Sequence, residues 1–454
     1  MSFPKDLNLS SNKPIAIASK PSINRYRSDN SSYQSGDVIK IEIPTGRQGQ
    51  YLYTKDSFLE LRIKVNQTNT AVAASATYID GSVYSIFSRM RILHGSSVVE
   101  DTLYCNKLWT AIYDLQVNEN ERRGDCITKL VSDSTGAANQ IFNNCNMGVQ
   151  FYSTGTANAA GVDSVFFFAS IVLPSALLGS LSQKALPIGL MGASSIYLEL
   201  ELAPAATAFC TALNTVQINS YTVDNIYYNA KISTLPSDVD AALIQSTGGV
   251  INLPAVSYKT EMKNIPSGTS AFNDKFSFQY SSLKNFLFWM QNSATATATT
   301  QSAMNSRSCT ARTRATLSEY YLTINGEAYP SQSIATPARM YMELLRSFGY
   351  LVDTNAGGIL SFLNYTNDLQ TVTGDVLAAN GVYSVQKRFL AGIDLDRFGS
   401  YTTDTLMSGT SSIGQMIALQ ANFGTATTDN LVLYTAVMYD VLYNIEGGML
   451  TAKF

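Results

Sequence analysis

The chain has 454 residues, 45% of them hydrophobic and 14% charged, with a formal net charge of −3. That length allows two or three domains with sizeable cores, and near-neutral charge excludes nucleic-acid binding by a uniformly basic surface. The charged fraction is well below the roughly 25% usual in soluble domains. Ser, Thr, Asn, Gly and Tyr fill the difference, and such a polar, sparsely charged surface suits packing against copies of the same chain.

No stretch reaches the ~18 apolar residues of a membrane span. The start, MSFPKDLNLSSNKP, holds no apolar secretion core, so synthesis and folding in cytosol are expected. The five cysteines, Cys105, Cys126, Cys145, Cys210 and Cys309, are odd in number and form no C-x-x-C pair. Reduced thiols are therefore expected rather than disulfides or zinc.

Residues 1–36 show no apolar period and carry more basic than acidic side chains (Lys5, Lys13, Lys20, Arg25 and Arg27 against Asp6 and Asp29). They are expected to form an extended arm. Strands follow. In VIKIEI, Ile39, Ile41 and Ile43 face one way and Lys40 and Glu42 the other. In FLELRIKV, Leu59, Leu61, Ile63 and Val65 oppose Glu60, Arg62 and Lys64. A third strand, Phe87 to Leu93, ends at the turn His94-Gly95. A helix is predicted from about Leu103 to Val117 with Leu108, Ile112 and Leu115 on one face. Residues 118–160 are turn-rich.

The stretch Phe166 to Leu202 holds two strand patterns around a middle containing Pro174 and Pro187. In the second, Ile196, Leu198, Leu200 and Leu202 alternate with Tyr197, Glu199 and Glu201. A strand is predicted over about 216–232, and Ser233 to Gly249 as a linker. The second half repeats the order, with strands at Val250–Met262, Phe276–Gln291 and Leu317–Ile324, then the turn Asn325-Gly326. A helix follows over about Pro337 to Phe348, with Thr336 as N-cap, Pro337 at its first position and Gly349 as stop. Beyond a polar loop at 351–378 come Phe389–Leu395, Gly414–Asn422 and Leu431–Ile445. Twelve or more strands and two short helices make the chain mainly β.

Four segments recur in order: RILHGSSV with LTINGEAY, ASIVLP with AGIDLD, SSIYLELEL with SSIGQMIAL, and NIYYNAKI with VLYNIEGG. Their offsets fall steadily along the chain and stay near half its length, as loop deletions in a duplicated domain would produce. The expected fold is two tandem eight-stranded jelly-roll β-sandwiches, each with one short helix inserted. The expected division is an arm at 1–36, a first roll at 37–232, a linker at 233–249 and a second roll at 250–454.

The residues offer little chemistry. His94 is the single histidine, which excludes His-cluster metal sites and leaves most nucleophile–histidine schemes dependent on one side chain; it reads as a polar turn residue. No H-E-x-x-H, P-loop, G-x-G-x-x-G or G-x-S-x-G motif is present. Asp394 and Asp396 could place two carboxylates on one strand face, half of a calcium or glycosidase site. The structural alternative is a solvent or subunit-contact face near Arg397, and the same choice holds for Glu199 and Glu201. Trp109 and Trp289 lie in apolar runs and read as core. No catalytic, cofactor-binding or metal-ligating residue is expected.

Several segments resemble the double jelly-roll major capsid proteins of icosahedral DNA viruses. They are IFSRMRILHGSSVVEDTLYCNKLWTAIYDL, the VLPSALLGS…ALPIGL pair, YYLTINGEAYP, FLAGIDLDRF and VLYTAVMYDVLYNIEGG. The proteins of virophages, Polinton-like viruses and adintoviruses are the nearest in kind, and those of adenoviruses and tailless phages are more distant. The resemblance implies a virion protein that forms homotrimers, whose six rolls make a pseudo-hexagonal tile. Implied partners are further copies of the chain, penton and minor capsid proteins, and an internal membrane or packaged DNA facing the arm. The loops 118–160, 292–316 and 351–378 are candidates for the exposed or intersubunit surface. An adhesive or carbohydrate-binding β-sandwich, such as a virion spike, is the alternative from another class, and a glycosidase using Asp394 or Asp396 is the third.

Overall fold

A computed structural model describes residues 19–69, 75–116, 130–132, 141–144, 148–153, 162–182, 184–211, 216–296, 308–349, 365, 388–397 and 408–454. Eight strands build the first sandwich: β1 (Lys20–Arg27), β2 (Val38–Ile43), β3 (Phe58–Asn69), β4 (Phe87–His94), β5 (Ser97–Leu103), β6 (Val162–Ile171), β7 (Ile196–Leu202) and β8 (Val216–Thr234). Eight more build the second: β9 (Val250–Ile265), β10 (Ala271–Phe276), β11 (Leu283–Asn292), β12 (Leu317–Ile324), β13 (Glu327–Ala335), β14 (Ala391–Asp394), β15 (Ile417–Phe423) and β16 (Leu431–Glu446). A last strand, β17 (Met449–Lys453), turns back onto the end of β16.

The sheet orders are β1-β8-β3-β6 and β2-β7-β4-β5 in the first half, β9-β16-β11-β14 and β10-β15-β12-β13 in the second. Adding eight to each label converts one half into the other. Neighbouring strands along these orders are antiparallel. This is the jelly roll made twice. Shorter strands decorate the first copy: Ser32–Gln34 and Gln50–Leu52 pair with β8, and Leu130–Ser132 extends the sheet beyond β6. Ser75–Ile79, Ile141–Asn144, Gly148–Ser153 and Phe209–Thr211 make a further small sheet.

Period-2 patterning decides which side of each strand is dry. Ile39, Ile41, Ile43, Leu59, Leu61, Ile63, Ile196 and Leu198 are fully buried, while Lys40, Glu42, Tyr197 and Glu199 point outward. Each buried aliphatic side chain contributes about 1.5–3 kcal/mol relative to exposure. The helices α1 (Cys105–Gln116) and α3 (Pro337–Ser347) occupy the same connection in each roll, directly after β5 and β13. The hairpin at Asn325-Gly326 has φ of 52° and 86°, the doubly left-handed turn that suits strand twist and that Asn-Gly adopts readily.

Four expectations change. Lys20–Arg27 is not arm but β1, paired along its length with β8 from Lys20↔Thr234 to Arg27↔Tyr227. Ser32–Gln34 is also strand; residues 1–18 lie outside the described set. The short polar β1 lacks a continuous apolar period because it is an edge strand with Ile23, Arg25 and Arg27 in water. The linker contains a helix, α2 (Ser237–Thr247), closed by Gly248 at φ 66°, the left-handed stop that glycine takes most easily. Thr336 sits at the N-cap of α3, but at φ 70° its side chain makes no cap bond.

The third repeat anchor is shifted. Ile196 pairs with His94 on β4, and Ile417 pairs with Ile324 on β12. Both partners end the strand before the equivalent hairpin, so Ile417, not Ile413, takes the place of Ile196. Ile417 is fully buried, whereas Ile413 is 56% exposed. Ile417→Ala and Ile196→Ala should each cost about 2–5 kcal/mol in chemical denaturation, and Ile413→Ala less than about 0.5 kcal/mol. Equal losses at Ile413 and Ile417 would overturn this register.

Candidate functional site at the junction between the rolls

The segment CNKLWTAIYDLQ forms α1 with Leu108, Ile112 and Leu115 toward the first-roll core, but Lys107, Trp109 and Asp114 are buried as well. The reason is the second roll, which covers the helix's other side. Lys107 Nζ donates to Tyr434 Oη on β16 at 2.7 Å and to Gln291 Oε1 on β11 at 3.1 Å. Trp109 meets Tyr258 of β9 edge-on at 5.4 Å between centroids, and Tyr104 meets Tyr434 likewise at 5.3 Å.

Ion pairs cross the same boundary. Asp114 accepts from Arg312 Nη2 at 2.6 Å and from Arg388 Nη1, and all three side chains are at most 1% exposed. Asp80 accepts the backbone N–H groups of Cys309 and Thr310 and the Thr310 hydroxyl. Gly81, at φ 95°, permits this approach, because a Cβ there would lie 2.6 Å from Thr110 and 3.0 Å from Thr310. Glu100 on β5 is fully buried and accepts from Ser175 Oγ at 2.6 Å, Ala176 N at 3.0 Å and, across the boundary, Ser257 Oγ at 3.3 Å. Burial raises its pKa against the pull of those donors.

Backbone contacts complete the seam. Thr260 Oγ1 donates to Leu103 O at 2.6 Å, Gly192 N to Gly448 O at 2.7 Å, and Leu450 N to His94 Nδ1 at 3.3 Å. From α2, Asp240 accepts Gly49 N–H at 2.8 Å and Tyr51 O–H at 2.7 Å. A seam of many directional bonds holds one relative orientation, since buried ions and amides lose their partners if the rolls slide.

The central strands β16 and β11 of the second roll's β9-β16-β11-β14 sheet are consequently dry on both faces. β11 is buried from Leu283 through Gln291. The matching strand β3 shows why the rolls differ. Leu61 pairs with Ala169, and Phe288 with Ala391; matching these alanines sets Arg62 against Trp289 and Lys64 against Gln291. The cross-strand partners are Asp224 and Tyr434. Trp289 stacks on Tyr434 at 5.8 Å beneath the first roll. In the first roll the equivalent pair is Arg62–Asp224, two bonds of 2.6 Å, partly exposed.

The sequence candidates disperse. Asp394 ends β14, accepts Asp396 N–H at 3.0 Å and lies 3.7 Å from Arg346 on α3. Asp396 turns inward beside Lys284 at 3.9 Å and Ser408. The two carboxylates therefore serve different partners and do not form the shared acidic face a glycosidase pair requires. Glu199 pairs with Arg91 at 2.7 Å on the outer wall, where Glu201 also points. His94 ends β4 at its turn and is 2% exposed, because β17 lies over it; burial lowers its pKa. Trp109 and Trp289 are buried, and so are the Cys105 and Cys309 thiols, neither of them in a disulfide; Cys309 Sγ donates to Thr207 O at 3.4 Å. Of the loop candidates, Ser308 to Thr310 and Arg312 are buried in the junction instead of exposed; 351–378, apart from the buried Tyr365, lies outside the described residues, as does most of 118–160.

Sequence reasoning missed Lys107, Asp114, Asp80, Glu100, Arg312 and Arg388. For the two on α1 a signal existed: opposite charges interrupt an otherwise apolar helix. The others have no local signature.

Asp114→Asn should destabilise by about 3–5 kcal/mol, because two guanidinium groups lose their buried counter-charge; a denaturation curve unchanged within error would refute the junction's role. Burial lowers the Lys107 pKa from 10.5 to about 8. Between those values the unfolded chain holds a proton that the folded chain has released, so stability from this group grows as pH rises through the window. The stability difference between the parent and Lys107→Met should therefore shift in the parent's favour from about pH 8 to pH 10, measured by urea unfolding. A flat difference would exclude the lowered pKa of Lys107.

No family model and no curated protein matches the chain. Solved structures do. A chain of the PBCV-1 virus capsid aligns with TM-score 0.58 and 11% identity over 98% of this chain and 99% of that one. A chain of the Sputnik virophage aligns with TM-score 0.56 and 12% identity over 100% and 92%. The mavirus major capsid protein aligns with TM-score 0.54 and 10% identity over 100% and 95%. At such identities the likeness concerns fold, and it spans both rolls. Over its whole length this chain has the double jelly-roll fold of those viral capsid proteins.

Proposed function

We propose that the chain is a major capsid protein that trimerises into pseudo-hexagonal capsomers and tiles an icosahedral virion shell. The observation that carries this reading is the pair of topologically identical rolls locked by a buried seam. Three copies of a rigid two-roll chain supply six near-equivalent rolls, the content of one pseudo-six-fold tile. The full-length fold likeness to capsid proteins supports the same reading. The units in this proposal are the first roll at 37–232 extended back to Lys20, the linker at 233–249 and the second roll at 250–454. Partners are further copies, penton and minor capsid proteins, and, through residues ahead of Lys20, an internal membrane or packaged DNA. The role is architectural, with shape complementarity in place of catalysis.

Light scattering of the purified protein should give three times the chain mass of 49.3 kDa, and electron micrographs of assembled material should show hexagonal tiles. A protein that stays monomeric at every concentration and never forms particles would overturn the proposal.

A further inference from the structure

The junction inside the chain has two sides, and among the described residues each roll carries a more exposed version of one of them. On α1, every residue from Cys105 to Ile112 is buried; on α3, the described buried residues are Met340, Leu344 and Ser347. The β11 face beneath α1 is dry, whereas its counterpart on β3 leaves Glu60, Arg62 and Lys64 partly exposed. Edge strand β1 adds Ile23 at 73% exposure. Among the described residues the molecule thus carries a helix face open at Met342, 49% exposed, and, on the other roll, the kind of sheet face that such a helix covers.

The helices can be matched residue by residue. Each starts after a residue of positive φ, Tyr104 at 50° and Thr336 at 70°, and the match puts the buried Leu108 and Ile112 on the buried Met340 and Leu344. Lys107 then corresponds to Arg339. Tyr434, which Lys107 binds, corresponds to Asp224. Where the internal junction joins an ammonium to a phenol, the matching pair is a half-buried guanidinium, whose Nη1 donates to Ser333 O at 2.9 Å, and a carboxylate, which is charge-complementary. Asp224 accepts one N–H on each oxygen from Arg62 and keeps lone pairs for another donor.

We propose that α3 of one copy docks on the outward β1-β8-β3 face of a second copy, with Arg339 over Asp224, repeating between chains the contact that α1 makes within the chain. The partner is another copy of this chain, and the inference rests on the self-assembly reading above. The contact is heterologous: helix face and sheet face lie on different rolls, so each copy gives one and receives one. Repeated at alternate positions with the internal junction, it closes a ring.

The test places photoreactive benzoylphenylalanine at position 339 of the full-length protein, mixed with an isotopically heavy copy and irradiated after assembly. Cross-links between light and heavy chains should map to Lys20–Arg27, Phe58–Asn69 or Val216–Thr234. Inter-chain cross-links confined to other segments of an assembled trimer would overturn this contact and leave the capsid reading standing; absence of any assembly by light scattering would overturn both. Independently, Arg339→Gln and Asp224→Asn should each weaken self-association by about tenfold, with melting confirming that the fold persists. The double variant should be no weaker than either single one; fully additive losses would count against the pairing.

Discussion

The outward face of the β9-β16-β11-β14 sheet carries Leu287, Trp289 and Tyr434, and it cannot be left in water without losing several kcal/mol of apolar burial. Covering it is the task of α1 and β5 from the other roll. That single requirement explains why α1 is buried from Cys105 to Ile112 and why Gly81 has no side chain. It also explains why Lys107, Asp114, Arg312 and Arg388 are ionisable groups deep in the molecule. Once these charges are enclosed, they must be paired or hydrogen-bonded, and pairing them fixes how the two rolls stand relative to each other.

The rolls therefore share topology but not surface. Equivalent strand positions hold Trp289 on Tyr434 in one copy and Arg62 on Asp224 in the other. A duplicated sandwich keeps its inward residues because packing constrains them at both sites. Its outward residues are set by what lies against them, and in this chain one sheet face meets protein and the other meets solvent. The asymmetry makes the single chain a directional unit, with one end that resembles a donor and another that resembles an acceptor.

Much of the first roll was legible from sequence. Alternation placed Ile39, Leu59, Ile196 and their neighbours correctly, since each strand has one wet face. The second roll was harder to resolve because LKNFLFWMQN and LVLYTAVMYDVLYNIE are buried on both faces and show little alternation. β1 escaped notice for the opposite reason: its outward side is Ile23, Arg25 and Arg27, and its inward Ser22, Asn24 and Tyr26 are polar, so no period marks it. The repeat was recognised in the right strands, yet placed Ile413 where Ile417 belongs, because short similar strings can slide by a few residues when no hydrogen-bond register holds them. Asp394 and Asp396 looked paired only under the assumption that the strand continued past Asp394.

By itself the sequence determined the mainly β class, most of the core strands, the two inserted helices and the duplication. These are local or periodic properties, written in alternation, turn residues and self-similarity. Only the tertiary structure decided which sheet faces are dry, which charges are enclosed and which residues of one roll meet the other. Lys107 and Tyr434, or Asp114 and Arg388, are hundreds of positions apart, and no local pattern records a contact that exists only when two finished sandwiches meet.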